Sequence, residues 1–166
     1  MARDRHAGLT PLLPRLFAFA RTMLGDADAA HDLVQEAAAR ALAAVRVPDE
    51  QAAYRAWMFR IVRNAALDEI RRRRLPDIDH HAPVDVWRYD DVRIAKITVE
   101  QGLAALGPPH REIISLIDIA GFSYSDAADL LGVPVGTVMS RLARAREALL
   151  AAIDVSAVRP LKSRHG

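Results

Sequence analysis

Apolar residues recur at helical spacing through the first half of the chain. From Leu9 to Leu24, the residues Leu12, Leu13, Leu16, Phe17, Phe19, Ala20 and Leu24 follow a 3.6-residue repeat, and Gly25-Asp26 supplies a stop followed by an N-cap. A second helix is predicted from about Ala27 to Val45, with Val34, Ala37, Ala38, Ala41 and Val45 on one side. Asp28, Asp32 and Gln35 line its other side at i, i+4 and i+7, so the exposed face is acidic and polar. Val47-Pro48-Asp49 breaks that helix. A third runs from about Glu50 or Gln51 to Arg74, where Leu75-Pro76 ends it.

Residues 1–75 are therefore expected to form one helical domain. Residues 76–92 carry two prolines, the pair His80-His81 and many acids without helical periodicity, which reads as a linker. Periodicity returns after Asp91, in Val92, Ile94, Ala95, Ile97, Val99, Leu103 and Leu106, and Gly107-Pro108-Pro109 closes that helix. Further helices are predicted at His110 to Ile119, Ser123 to Leu131 and Pro134 to Ala152. Residues 93–155 then make a second domain, with 156–166 as a basic tail. Half-buried strand patterns are missing, and the fold class is all-α with two small helical domains.

The second domain contains a helix-turn-helix pattern. Ser123-Tyr124-Ser125-Asp126 resembles a capping box and fixes where the first helix of the pair starts. Leu131-Gly132-Val133-Pro134 gives a short turn with a glycine for the reversal. On the following helix Val138, Leu142, Ala145 and Leu149 recur on one side, opposite Thr137, Ser140, Arg141 and Arg144. Arginine forks onto guanine edges or phosphate, while serine and threonine bond bases or backbone, so this face has the chemistry of a DNA reader. A solvated basic face of an ordinary bundle is the bland alternative.

In the third helix Arg60, Arg63, Asn64, Leu67, Arg71 and Arg74 share a face. A basic strip with an amide and nearby aromatics suits melted DNA, since arginines hold the backbone while amides and aromatics meet unstacked bases. Tyr54, Trp57 and Phe59 are the aromatics at hand, although each taken singly reads better as a core residue. Asp28, Asp32, Gln35 and Glu36 are either a solubilising face or a docking strip for a basic protein partner.

Composition narrows the choice. Across 166 residues the formal net charge is only +2, so the bulk balance argues little, but arginines crowd into residues 55–74 and 141–164. With no cysteine there is no disulfide, thiolate metal site or thiol nucleophile. His6, His31, His80, His81, His110 and His165 show no ligand spacing, and phosphate-loop and nucleophile motifs are missing. The expectation is a non-enzymatic protein needing no cofactor or metal. No stretch approaches the roughly 20 apolar residues of a membrane span, so a cytoplasmic location without membrane insertion is expected.

Three ordered blocks resemble the extracytoplasmic-function (ECF) sigma factors of the sigma-70 family. They are Asp28-Ala-Ala-His-Asp32-Leu-Val-Gln-Glu36 with Arg40-Ala-Leu42; Arg55-Ala-Trp57-Met-Phe59-Arg60-Ile-Val-Arg63-Asn64 with Asp68-Glu69-Ile70 and the arginine run; and Leu106-Gly-Pro-Pro-His-Arg111-Glu112 through Gly121-Phe-Ser-Tyr124 to Arg144-Ala-Arg146. The resemblance implies that Asp28, Asp32, Gln35 and Glu36 dock on core RNA polymerase. It implies that Arg60, Arg63, Asn64 and Arg71, with the loop from Val47 to Gln51, capture the melted −10 promoter element. Thr137, Ser140, Arg141 and Arg144 would read promoter DNA at −35, and an anti-sigma factor would hold the chain inactive. Met139 stands where members often carry arginine. The competing reading is a stand-alone helix-turn-helix regulator of duplex operators, which leaves the arginine helix and the acidic strip unexplained.

Overall fold

The computed structural model describes residues 6–74 and 99–157; the expected linker at 76–92, the start of the helix after it and residues 158–166 of the expected basic tail lie outside them, while 156 and 157 continue the last helix. Among the described residues every regular element is helical. Three long helices form the first unit: α1 (Leu9–Leu24), α2 (Ala27–Ala43) and α3 (Gln51–Arg73). Gly25, left-handed at φ 69°, ends α1, a conformation glycine adopts without steric cost. The Asp26 side chain then caps α2 by accepting from the backbone N–H groups of Asp28 and Ala29.

The three helices pack on one another through Leu16, Phe19 and Met23 of α1, Ala30, Val34, Ala37 and Ala41 of α2, and Met58, Phe59 and Val62 of α3. The alanines keep α2 close to its neighbours, and the large side chains of α1 and α3 fill the space. Each fully buried large side chain contributes about 1.5–3 kcal/mol. One expectation fails at the end of α2. The chain turns extended at Ala44 (ψ 131°), ahead of Val47-Pro48, and Val45 is 87% exposed instead of lying on the packed side.

The second unit comprises α4 (helical residues 99–105), α5 (Pro108–Ile114) continuing into a π-helical turn at Ser115–Ile119, α6 (Tyr124–Leu131) and α7 (Val135–Ala157). In the π turn the Ala120 N–H donates to the Ser115 carbonyl, five residues back. Ser123 caps α6 by accepting from the Asp126 N–H at 3.0 Å, and Gly132 ends it at φ 66°. Pro134 immediately precedes α7, where its carbonyl accepts from Thr137 and Val138. A Cβ at Gly102 of α4 would come within 2.9 Å of Leu149, so the glycine lets α4 lie against α7.

The two units share one continuous hydrophobic core, with α1 against α5 and the π turn, and α3 against α6. Phe122 is the wedge at this seam. Its ring meets Phe59 edge-on at 4.9 Å, and the Arg55 guanidinium lies over it at 4.2 Å while donating to the Ala120 carbonyl. Arg111 reaches the Met23 carbonyl at 3.3 Å, and Arg21 pairs with Glu100 at 2.9 Å. The seam is polar at a cost, because the Nε of both Arg55 and Arg111 is buried without a hydrogen-bond partner. Burial holds both guanidiniums below their ordinary range, with Arg15 adding repulsion at Arg55 and Arg74 at Arg111.

Candidate nucleic-acid and partner interfaces

On α2 the structure brings Asp28, Asp32, Gln35 and Glu36 together on the exposed side, opposite the alanine-lined packing face. Glu36 is paired with Arg40 one turn on, and Asp28 lies in the first turn, where the helix dipole favours anions. Beside this strip runs a feature the sequence did not disclose: an apolar groove of about 520 Å³ between α1 and α2. Leu13, Phe17, His31, Val34, Gln35 and Leu42 line it, and Gln35 therefore joins groove and strip. Sequence periodicity missed the groove because its walls come from two helices, and Leu42, 56% exposed, fell outside the packed pattern.

On α3 Arg60, Asn64 and Arg71 are exposed on one face, Arg71 in a loose pair with Asp68. Arg63 is different. It sits at the edge of the strip, and its Nε donates to Glu112 of α5, with only 21% of the Arg63 side chain and 7% of the Glu112 side chain exposed. The fourth residue expected to contact DNA is thus engaged by the other unit. The aromatics divide as their burial dictates: Tyr54 and Phe59 are core, and Trp57, tilted against the Tyr54 ring at 5.5 Å, is half-buried. Neither Tyr54 nor Phe59 is open to an unstacked base in this arrangement.

At its C-terminal end α3 is braced by Glu69. Burial pushes the Glu69 carboxyl up, but hydrogen bonds from Arg73 and Arg72 outweigh it and hold it below the ordinary carboxylate value. Arg73 also reaches the Leu24 carbonyl at 3.2 Å and faces Asp26 at 3.7 Å, tying α3 to the α1–α2 corner. Part of the arginine run is therefore structural.

On α7 Val138, Leu142 and Ala145 are buried, and the opposite side carries Ser140 and Arg144, both exposed. Thr137 and Arg141 are half-buried on the flank of that side. Ser140 donates to the Thr137 carbonyl at 3.2 Å, a bond easily exchanged for one to DNA. Arg146 is committed elsewhere: hydrogen bonding to Asp118 of the π turn raises its pKa and pins α7 to that turn. Among the described residues no group of three or more His, Asp or Glu is placed to hold a metal ion, and no helix is long and apolar enough to cross a membrane.

Two helical units, the first with an exposed arginine and amide strip and the second with a helix-turn-helix, define the architecture of sigma-70 family proteins. The family description Sigma-70 region 2 matches residues 9–75, and Sigma-70, region 4 matches residues 97–149. An ECF RNA polymerase sigma factor, EcfG of Rhodopseudomonas palustris, is 38% identical over 86% of this chain and 81% of its own length. The ECF sigma factor SigC of Mycobacterium tuberculosis is 36% identical over 77% of this chain and 72% of its own. Among solved structures, the sigma factor RpoE of Bartonella quintana in complex with the anti-sigma factor NepR superposes with a TM-score of 0.65 at 30% identity, covering 89% of this chain and 94% of that one. CnrH in complex with the cytosolic domain of CnrY gives a TM-score of 0.67 at 29% identity, covering 89% and 85%. The chain belongs to the ECF sigma factors of the sigma-70 family.

Proposed function

We propose that this chain binds core RNA polymerase in the cytoplasm and directs it to promoters without performing bond chemistry of its own. Residues 1–75 dock on polymerase and take the melted −10 element, and residues 93–155 read −35 duplex DNA. The observation that carries this reading is the presence, in one chain, of two separate helices with exposed arginine-bearing sides. One has the amide and arginines of melted-strand binding, Asn64 with Arg60 and Arg71; the other has the exposed Ser140 and Arg144 of a recognition helix.

Asp28, Asp32, Gln35 and Glu36, with the apolar groove beside them, supply the polymerase contact: acids steer a basic surface, and the groove gives it something to bury. Arg60, Arg63, Asn64 and Arg71 hold the −10 strand, while Thr137, Ser140, Arg141 and Arg144 enter the major groove at −35. By their numbering the two elements lie about 25 base pairs apart, or about 85 Å at 3.4 Å per base pair. A compact chain of this length is only about 40 Å across. The Phe122 seam therefore opens when both elements are held, which also frees Arg63 from Glu112. Two weak grips become strong once polymerase fixes their spacing. The relatives solved with anti-sigma factors support an inhibitory protein partner for this chain as well.

The test is run-off transcription by the full chain with core RNA polymerase on a genomic promoter library, with Asn64→Ala and Arg144→Ala as controls. Initiation from a shared motif, reduced by both substitutions, is the expected outcome. Duplex binding without polymerase, and no initiation with it, would establish an ordinary regulator instead.

A further inference from the structure

We infer that the first turns of α7 read thymine methyl groups in duplex DNA, through an apolar edge of Val135, Met139 and Ala143 beside the open position Gly136. The inference rests on α7 being the recognition helix and supplies the chemistry of its specificity.

Starting from the buried line of Val138, Leu142 and Ala145, the rest of the helix surface divides in two. Thr137, Arg141 and Arg144 make a polar edge. Val135, Met139 and Ala143, at i, i+4 and i+8, make an apolar one, with Gly136 and Ser140 between them. Val135 is 41% exposed, Met139 is 52% exposed, and Ala143 is also open to solvent. These side chains keep a large share of their surface open where they stand, and they occupy the end of the helix that meets base edges when a recognition helix enters the major groove.

Gly136 points the same way by a different argument. It is not among the glycines at positive φ, and a Cβ built on it would meet nothing within 4 Å. Neither backbone conformation nor internal packing calls for glycine there, although glycine weakens a helix relative to alanine. Clearance that the protein does not use internally suits the close approach of an outside surface.

The occupant follows from the chemistry. In the major groove the base edges offer donors, acceptors and one apolar group, the thymine C5-methyl. Met139, unbranched and polarizable, can adapt to a methyl group, and the arginines at 141 and 144 set phosphates alongside.

The experiment uses the full chain with core RNA polymerase and promoter DNA selected from a pool randomised across the upstream element. Each thymine of the selected element is then replaced by deoxyuridine, which removes only the C5-methyl, and holoenzyme affinity is measured. At one or more positions the native chain should lose about fourfold, the factor associated with burying one methyl-sized group. Met139→Gln should bind the thymine and uracil forms equally. Gly136→Ala should weaken binding to every upstream element while leaving the thermal midpoint of the free chain unchanged or higher.

A selected element in which uracil replaces every thymine without loss, or an element without thymine, overturns the methyl reading and leaves the sigma reading standing. If Met139→Gln weakens assembly with polymerase in the absence of DNA, the apolar edge is a protein contact and the inference also falls. If no upstream element is selected and no initiation occurs, the assignment of α7 as recognition helix fails with it.

Discussion

The two arginine-bearing helices, α3 and α7, differ in how many arginines the protein keeps for itself. On α3, Arg63 is held by Glu112, Arg72 and Arg73 are held by Glu69, and Arg55 lies in the seam over Phe122. On α7, Ser140 and Arg144 are exposed, and Arg146 is tied down by Asp118. Among the described residues α3 thus commits several arginines to the fold beside its exposed strip, whereas α7 commits Arg146. Substitutions on α3 should therefore mix stability with binding, and those on α7 should separate them.

The largest effect should come from Phe122→Ala, which empties the space between Phe59 and the Arg55 guanidinium. A loss of about 3 kcal/mol is expected in denaturant unfolding, typical of a buried aromatic cut to alanine. An unchanged midpoint would mean that the seam contributes nothing to the folded state of the free chain. Next, Arg144→Ala should leave unfolding unchanged within about 0.5 kcal/mol. It should also lower the slope of log affinity for promoter DNA against log salt by about 1 in magnitude, the signature of one lost phosphate contact. A normal slope with relaxed sequence preference would instead place Arg144 on a base.

Glu112→Gln tests the masking of Arg63 directly. Weakening this partner should loosen the seam and raise the affinity of the free chain for single-stranded DNA several-fold, measured by fluorescence anisotropy, an effect that Arg63→Ala should abolish. The smallest effect concerns Glu69. Its folded-state pKa is depressed, so the stability it adds is present above the ordinary value of about 4.5 and is lost as pH falls through the lower folded value. Glu69→Gln should cost stability at neutral pH and make the midpoint less sensitive to pH in that acid range.

The same contrast explains what the sequence made legible. Local chemistry was readable: Gly25 and Asp26, Ser123 and Gly132 mark helix ends through groups within three residues of one another, and the structure uses each as expected. The α7 face was readable too, because its buried line repeats within a single helix. What escaped was tertiary. The Glu112 that engages Arg63 lies 49 residues away, and no pattern within α3 announces it. Periodicity puts Val45 on the packed side because it does not register that the chain turns extended at Ala44. The groove beside Gln35 and the close passage at Gly102 likewise need two helices to exist.

The π turn at Ser115–Ile119 carries a consequence of phase. A π turn amounts to one extra residue within an otherwise α-helical course, and a single residue advances a helix by about 100° and 1.5 Å. Deleting one residue between Ser115 and Ile119 would restore α-helical spacing and turn everything downstream by about that angle. Phe122 would then no longer face Phe59, and Asp118 would no longer meet Arg146. The orientation of the helix-turn-helix against the first unit therefore depends on the number of residues in this one turn.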